Sequence, residues 1–305
     1  NSSQELPNLS QIKPLTTNGH SVHEFVVSHS GTFSVLVRQA QGFQQLIYKE
    51  LTSQRETILI ASLQIKGNVA LSLDDQTLAF GLQTKNGNKK CVNLVTFDLI
   101  KQKIKPLTPC QEKFNHSPQW IDNQNIVYLS SNTNRTSELY LYDIKKQTNN
   151  LLTQGHKNTT YLSYHTVSHK LAWINTEGKL TISTVDLEHK KLKDLTQSIL
   201  PSGLESAQKL HWYNEKILLI PYKHDIYWFK GHELIKQQSI MTNSYVIDLV
   251  SLPLSNANSN AHPQKVIALF SQKDTSVRTR QVIDTKSPNI NISPSVLSES
   301  SGKYR

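Results

Sequence analysis

Short apolar segments recur along this chain at a nearly constant interval. Six of them share a run of aliphatic or aromatic residues, and their first residues are 45, 48, 45, 46 and 49 positions apart. They begin at Phe33, Leu78, Ile126, Leu171, Ile217 and Val266. An interval this regular over most of a 305-residue chain indicates an array of equivalent structural units, not one irregular domain.

Each unit contains further strand-like segments. A weak apolar segment precedes the recurrent run, a third segment such as 139–143 follows it, and a Leu-Thr pair such as Leu152-Thr153 closes several units. Four strands in about 45 residues is the size of a propeller blade, which buries its faces only against neighbouring blades. The sequence therefore predicts an all-β fold, a six-bladed β-propeller of four-stranded antiparallel blades.

A duplication near the N-terminus predicts how the ring closes. Residues 12–16 read Ile-Lys-Pro-Leu-Thr, as do residues 104–108, which form the outer strand of the second blade. No blade precedes the first copy, so we expect it to complete blade six; the alternative is that 289–292 supplies that strand. The predicted domain spans 1–292, and the Ser-rich segment 293–305 is predicted to be a flexible tail.

The formal net charge of +10 raises the question of nucleic-acid or lipid binding. The basic residues are spread along the chain, and the small lysine clusters around 85–90 and 190–193 are predicted to lie in turns. No aromatic residues interleave with them as a stacking platform would require, so we expect no nucleic acid to bind this domain.

No apolar stretch approaches the roughly 20 residues of a membrane span, and the N-terminus does not read as a signal peptide. We expect a soluble fragment of a longer protein.

The units resemble the repeats of TolB-like propellers, whose pattern is Pro-x-Trp-Ser-Pro-Asp-Gly, an apolar strand, a strand ending in Asp, and Leu-Thr. The third unit is the best match, with Ser117-Pro118-Gln119-Trp120, then 126–129, 139–143 and Leu152-Thr153. The resemblance covers roughly residues 12 to 285. The Ser-Pro-Asp-Gly turn is degraded in every unit, as in Ser28-His29-Ser30-Gly31.

A narrower resemblance is to propellers carried by membrane-bound winged-helix regulators of the CadC/ToxR type. Its basis is the segment Lys13-Pro14-Leu15-Thr16 and a Cys pair that flanks the third and fourth strands of one blade. The resemblance implies a non-catalytic sensor or interaction domain on the periplasmic side of the bacterial inner membrane. It also implies a membrane helix and a DNA-binding domain upstream of Asn1. The alternatives are a stand-alone TolB-like periplasmic scaffold that binds proteins and, second, a hydrolytic propeller enzyme.

The only two cysteines are placed to pair. A hairpin that turns at Ile100 and Lys101 sets residues opposite each other when their numbers sum to 201, as those of Cys91 and Cys110 do. Direct cross-strand neighbours have Cβ atoms about 4.5–5.5 Å apart, near the span of a disulfide. We predict a disulfide and hence an oxidising compartment; the alternative is two unrelated buried thiols.

Candidate binding residues are sought at the mouth of the predicted central channel. The histidines 20, 23 and 116 fall in loops that are predicted to enter first strands. The full set of predicted binding residues is His20, His23, His116, Trp120, Tyr161, His165 and His211. The alternatives are hydrogen-bonded surface histidines and tryptophans that pack between blades. The expected occupant is a partner protein or a small ligand; no ligand set of recognised zinc spacing occurs, and we expect neither a metal nor a cofactor.

Enzyme signatures are weak in this sequence. The recurring Asp98, Asp143, Asp186 and Asp284 end third strands, where an Asp side chain accepts hydrogen bonds from local backbone N–H groups, so we interpret them as turn residues. There is no Gly-x-Ser-x-Gly nucleophile elbow and no Gly-rich phosphate loop. We therefore expect no catalytic residues.

Overall fold

The structure is a computed structural model that describes residues 11–14, 22–132, 137–152, 159–204, 206–207, 209–239, 244–252, 265–272 and 280–286. Its regular elements in these ranges are all β-strands. They are β1 (Gln11–Pro14), β2 (Val22–Val27), β3 (Phe33–Gln39), β4 (Gln44–Glu50), β5 (Glu56–Leu63), β6 (Ile65–Leu71), β7 (Thr77–Asn86), β8 (Lys89–Asp98), β9 (Lys103–Pro106), β10 (Phe114–Trp120), β11 (Asn125–Ser131), β12 (Ser137–Asp143), β13 (Thr148–Leu151), β14 (Thr159–His165), β15 (Lys170–Asn175), β16 (Lys179–Asp186), β17 (Lys191–Ile199), β18 (His211–Trp212), β19 (Ile217–Tyr222), β20 (Asp225–Lys230), β21 (Glu233–Ser239), β22 (Ser244–Leu252), β23 (Lys265–Gln272) and β24 (Arg280–Lys286). Over the same ranges, no helix qualifies as a membrane span.

Consecutive strands pair antiparallel in groups of four. The strands β2–β5, β14–β17 and β18–β21 each form one sheet in chain order. The strands β6–β9 and β10–β13 form two such groups, which are joined into one eight-stranded sheet by a single parallel residue pair, Phe114 with Val92. The fold is therefore all-β with antiparallel four-stranded sheets, the arrangement of a propeller-like fold.

The two middle strands of each group carry most of the buried surface. The second strands β3, β11, β15 and β19 are buried on both faces over most of their length, which is why they appear in the sequence as continuous apolar runs. The fourth strands β9, β13, β17 and β21 are largely exposed. Each of these groups thus has a buried centre and a largely exposed outer strand.

The apolar clusters lie between neighbouring sheets. One cluster joins Val35 of β3 to Phe80 of β7, and another joins Leu129 of β11 to Trp173 of β15. Further clusters join β6–β8 with β10–β12, and β15–β16 with β18–β20. Full burial of one such aliphatic or aromatic side chain stabilises the fold by about 1.5–3 kcal/mol. Sheet-on-sheet burial of this kind is what a repeat unit requires when it cannot bury its own faces.

The N-terminal strand joins the last sheet. β1 pairs antiparallel with β24, and Ile12 lies opposite Thr285 while Pro14 lies opposite Ile283. The sheet order is β1-β24-β23-β22, so the pairing predicted for residues 12–16 beside the strand around Val282 is present for the described residues 11–14. The competing strand 289–292 and the tail 293–305 lie outside the described residues. The six-bladed closed ring and the 1–292 boundary stay predictions.

The predicted turn positions of the lysine clusters are wrong in part. β7 and β8 continue to a two-residue turn at Gly87 and Asn88, so Lys85, Lys89 and Lys90 are strand residues. β17 begins at Lys191, so Lys191 and Lys193 of the second cluster are also strand residues. The strands are longer than the apolar pattern predicts because their ends pair as a hairpin that extends beyond the buried core.

The turns keep the chemistry of the repeat although its residues have diverged. Ser28 Oγ accepts a hydrogen bond from the Phe33 N–H at 3.1 Å, and Ser72 Oγ accepts one from the Thr77 N–H at 3.0 Å. The carboxylates of Asp98, Asp143 and Asp186 accept bonds of 2.8–3.1 Å from backbone N–H groups two or three residues further on. Their interpretation as turn residues is confirmed; the side chain of Asp284 lies outside the described part of the chain.

Candidate functional site

The first strand of every group of four borders one cavity. Its wall contains residues of β2, β6, β10, β14, β18 and β22, and its volume is about 220 Å³. We call this the interior cavity. It brings together segments that are far apart in sequence, for example Phe25 of β2 and Leu249 of β22.

A larger cavity opens where β6 and β10 begin. Its volume is about 810 Å³, and we call it the mouth cavity. It is lined by Lys66, Gly67, Gln83, Lys90, Val92, Phe114, His116, Ser117, Ser131, Ser137, Tyr161, Asn175, Thr176, Ser206 and Ala207. Tyr161 also lines the interior cavity, so this residue borders both spaces.

The predicted binding residues divide between these cavities. His116 and Tyr161 line the mouth cavity, while Trp120, His211 and again Tyr161 line the interior cavity. His165 lines neither; its Nδ1 lies 2.9 Å from Ser168 Oγ and its ring is 6.2 Å from that of Trp212. His23 is half-buried on β2, and His20 lies outside the described residues. The structure thus brings four of the seven candidates to a cavity wall.

His23 and His116 do not lie in loops as the sequence pattern predicts. Both are strand residues, of β2 and β10 respectively. β10 begins as early as Phe114 because this residue pairs with Ser131 of β11 and also with Val92 of the neighbouring group. His116 is therefore held at the cavity wall by strand pairing and is not part of a loop.

His116 is the centre of a chain of hydroxyl groups. Its Nδ1 lies 2.9 Å from Ser117 Oγ and its Nε2 lies 3.0 Å from Ser131 Oγ, which is 2.7 Å from Ser137 Oγ. Burial and the positive charge of Lys66 lower the pKa of His116 to about 4. The ring is therefore neutral at pH 7, with one nitrogen that donates and one that accepts.

Two glycines allow β10 to lie against the β6–β7 pair. A Cβ on Gly81 would stand 2.7 Å from the Asn115 carbonyl oxygen and 2.9 Å from the His116 Cβ. A Cβ on Gly67, whose φ is +72°, would stand 2.2 Å from Ser117 Oγ. Any larger residue would push β10 away, so these glycines set the position of His116 and Ser117 in the mouth cavity.

An ion pair that the sequence did not indicate crosses the interior. Lys209 Nζ lies 3.3 Å from Glu24 Oε1, and it also stands 5.2 Å from the centre of the Tyr161 ring. Both charged side chains are largely buried. The three residues come from three different sheets or their entry loops and connect them, and Lys209 and Tyr161 line the interior cavity. No local pattern marks Glu24 and Lys209, which are 185 positions apart.

Two tryptophans form hydrogen bonds between neighbouring groups of strands. Trp120 Nε1–H donates to the Ala70 carbonyl at 3.2 Å, and Trp212 Nε1–H donates to the Ser163 carbonyl at 3.1 Å. Each indole thus bonds to the first strand of the preceding group. Trp120 therefore has a packing role between sheets and presents its surface to the interior cavity as well.

The predicted disulfide is present. Cys91 and Cys110 are bonded, with Cα atoms 5.3 Å apart. The β8–β9 register that sets Val95 opposite Pro106 and Asp98 opposite Lys103 is the one the sequence predicts, with paired numbers summing to 201. A disulfide indicates a location outside the cytoplasm.

Among the described residues, no three His, Cys, Asp or Glu side chains are grouped so as to hold a metal ion. The groups that line the mouth cavity are hydroxyls, amides, one imidazole, two ammonium groups and apolar side chains. These groups are suited to binding through hydrogen bonds and charge.

The comparisons with known proteins concern the fold. No protein-family model matches the sequence, and no curated protein matches it. Similar solved structures include a luciferin-regenerating enzyme (TM-score 0.64, 9% identity, 92% of this chain and 96% of that one). A chain of the nidogen/laminin complex has a TM-score of 0.57 at 10% identity, covering 72% of this chain and 81% of that chain. TolB from Acinetobacter baumannii has a TM-score of 0.54 at 11% identity; the match covers 88% of this chain but 55% of TolB. The chain therefore has an all-β fold similar to the β-propeller of TolB.

Proposed function

We propose that this chain is a non-catalytic sensor or interaction domain of a membrane-anchored transcriptional regulator. It is a six-bladed ring on the periplasmic side of the inner membrane, closed by its N-terminal strand. A ligand or a partner protein binds at the mouth of its channel, while a membrane helix and a DNA-binding domain lie upstream of Asn1.

The observation that carries this proposal is the mouth cavity. Its volume of about 810 Å³ falls in the range of roughly 300–1,000 Å³ that is usual for ligand sites. Residues from the groups that contain β6, β10 and β14, together with Ser206 and Ala207 just before β18, contribute to its wall. A ligand there would touch several sheets at once, so its binding would alter how those sheets pack.

Two further features support the proposed location and orientation. The Cys91–Cys110 disulfide favours an oxidising compartment such as the periplasm. The pairing of β1 with β24 places the N-terminal segment in the same sheet as the last strand. A membrane linker before Asn1 would then be attached to the propeller through a hydrogen-bonded strand, which can transmit a change in sheet packing.

A stand-alone periplasmic scaffold is the second candidate, and the similarity to the fold of TolB favours it. The two candidates differ in what precedes Asn1 in the full reading frame. A winged helix followed by one membrane helix supports the regulator, whereas a cleavable signal peptide supports the scaffold.

The decisive experiment uses the full-length protein and a mouth-filling substitution. Thr176 lies in an exposed turn on the mouth cavity, and Thr176→Trp would fill part of it. Thr52→Trp is the matched control, because Thr52 lies in an exposed turn away from both cavities. We expect Thr176→Trp alone to change transcription of the adjacent genes. Equal output from the two variants and the parent protein would contradict the sensor function.

A further inference from the structure

Two lysines lie on the same face of the β6–β7–β8 sheet. Lys66 lies opposite Gly81, and Gln83, two residues on, lies opposite Val92. Lys90 is two residues from Val92 along β8. Directly opposed residues, and residues two apart, point to the same face of an antiparallel sheet. This face carries Lys66, Gln83, Lys90 and Val92, and all four line the mouth cavity.

Within the described part of the chain, the positive charge of these lysines is not balanced locally. No carboxylate is among the described residues that line the mouth cavity. Over the described ranges, neither Lys66 nor Lys90 has a carboxylate within ion-pair distance, whereas the adjacent Lys89 pairs with Glu112 at 3.1 Å. Two ammonium groups at the rim of one concave site raise the local positive potential and attract an anion.

Another part of the mouth-cavity lining is neutral and rich in hydroxyl groups. His116 connects Ser117 to Ser131 and Ser137 through contacts of 2.7–3.0 Å. A hydroxyl can rotate to donate or to accept, and the neutral imidazole does one at each nitrogen. Such a chain matches a ligand that itself carries several hydroxyl groups.

Two aromatic side chains complete the site. Phe114 and Tyr161 are half-buried and line the mouth cavity together with Val92 and Ala207. Small-molecule sites usually combine apolar and aromatic surface with a few placed polar groups. The apolar C–H face of a sugar ring can rest on an aromatic side chain while its hydroxyls meet the serines.

We infer that the mouth cavity binds a small acidic saccharide. Its carboxylate or phosphate lies between Lys66 and Lys90, and its ring hydroxyls bind the Ser117–His116–Ser131–Ser137 chain. The inference rests on ligand binding at the mouth as proposed above, and it names the class of ligand.

Calorimetric titration of the intact chain tests the inference with three probes. These are digalacturonate, its neutral dimethyl ester and glucose 6-phosphate. We expect an acidic probe to bind and the ester to bind much more weakly. Lys66→Gln and Lys90→Gln should each weaken binding about tenfold, the loss typical of one charged hydrogen bond. Lys103→Gln removes the same charge from exposed β9 of the same sheet, away from the cavity, and should bind like the parent chain.

Comparison of digalacturonate with glucose 6-phosphate shows whether the site prefers a carboxylate or a phosphate. Binding of the ester as tight as that of the acid, equal affinity in all lysine variants, or no binding of any probe at millimolar concentration would overturn the acidic-saccharide inference. These results would leave the sensor function intact. That function fails separately, if Thr176→Trp in the full-length protein leaves transcription unchanged.

Discussion

At the scale of single residues, the cavity walls are held by side chains whose hydrogen bonds reach another strand or another sheet. His116 bonds to its neighbour Ser117 and across to Ser131 on β11. Trp120 and Trp212 reach 50 and 49 positions back to the preceding group. Because a buried polar group that loses its partner costs about 1–3 kcal/mol, these positions are sensitive to substitution.

Acidification should destabilise the fold through His116. Its pKa is lowered from an ordinary 6.5 to about 4, so between these values the unfolded chain binds a proton that the folded chain does not. The stability is therefore complete above pH 6.5 and falls as the pH drops towards 4. At pH 5 the loss from this residue is about 2 kcal/mol. Urea unfolding at pH 7 and pH 5 measures it.

His116→Gln removes the titrating group and keeps a side chain that donates and accepts hydrogen bonds. His211, whose pKa burial also lowers to about 4, titrates in both proteins and gives the common background. The variant should lose less stability than the parent chain between pH 7 and pH 5. An identical loss would show that His116 is not the group responsible.

The indole hydrogen bonds should be measurable one at a time. Trp120→Phe and Trp212→Phe each remove the donor of one buried hydrogen bond, so each should lower the free energy of unfolding by about 0.5–1.5 kcal/mol, the net contribution of one such bond. Trp228→Phe is the matched control, because its buried Nε1–H has no acceptor among the described residues. A chemical denaturation series in which Trp228→Phe costs as much as the other two would refute the role of these bonds.

At the scale of elements, the groups of four strands are equivalent in pairing order but differ in how they are completed. In all five groups that begin at β2, β6, β10, β14 and β18, the four strands pair in the order in which they follow one another in the chain. The last sheet takes its outer strand, β1, from the opposite end of the sequence. This pairing makes the two ends of the chain depend on each other.

Deleting residues 1–17 should therefore destabilise the fold. β1 forms four register pairs with β24, and each backbone hydrogen bond contributes about 0.5–1.5 kcal/mol net. We expect a loss of about 2–4 kcal/mol and a tendency to aggregate through the exposed edge of β24. Thermal unfolding and light scattering measure both effects.

Deleting residues 287–305 is the matched control, because it removes the competing strand 289–292 and leaves β1 in place. This truncation should unfold close to the temperature of the full chain. The reverse result, with the N-terminal deletion neutral and the C-terminal one destabilising, would assign the outer strand to 289–292.

At the scale of the whole molecule, the interior cavity is bordered by residues from every group of strands. First strands from β2 to β22 border the interior cavity, and the apolar clusters lie between adjacent sheets. Sheets stacked side by side around an axis produce this arrangement. A ligand in the mouth cavity would contact residues of the groups that contain β6, β10 and β14.

A closed ring of blades makes a prediction about size. A compact chain of this length has a radius of gyration of about 19 Å, whereas an opened array of the same sheets is larger and elongated. Small-angle scattering of the monomer measures this, and a far-UV spectrum should show strand with almost no helix. A radius well above this value, or a helix content above about a fifth, would contradict a propeller.

The sequence by itself determined the parts of this protein that depend on neighbours along the chain. The period of about 45 residues, the Asp98, Asp143 and Asp186 turns and the Cys91–Cys110 register all follow from local pattern, because strand alternation and hairpin pairing link residues close in sequence. The duplicated segment 12–16 also predicted the partner of β1, since equivalent units need equivalent outer strands.

Only the tertiary structure decided which side chains from distant parts of the sequence meet and which of them line a cavity. Glu24 and Lys209 meet across 185 positions, and His116 reaches the mouth cavity because Gly81 leaves room for it. Lys90 lines the mouth cavity because β8 begins at Lys89, two residues before the buried part of the strand. These contacts arise from how separate sheets pack around a common space. That packing depends on residue volumes in different units, which no periodic pattern within one unit records.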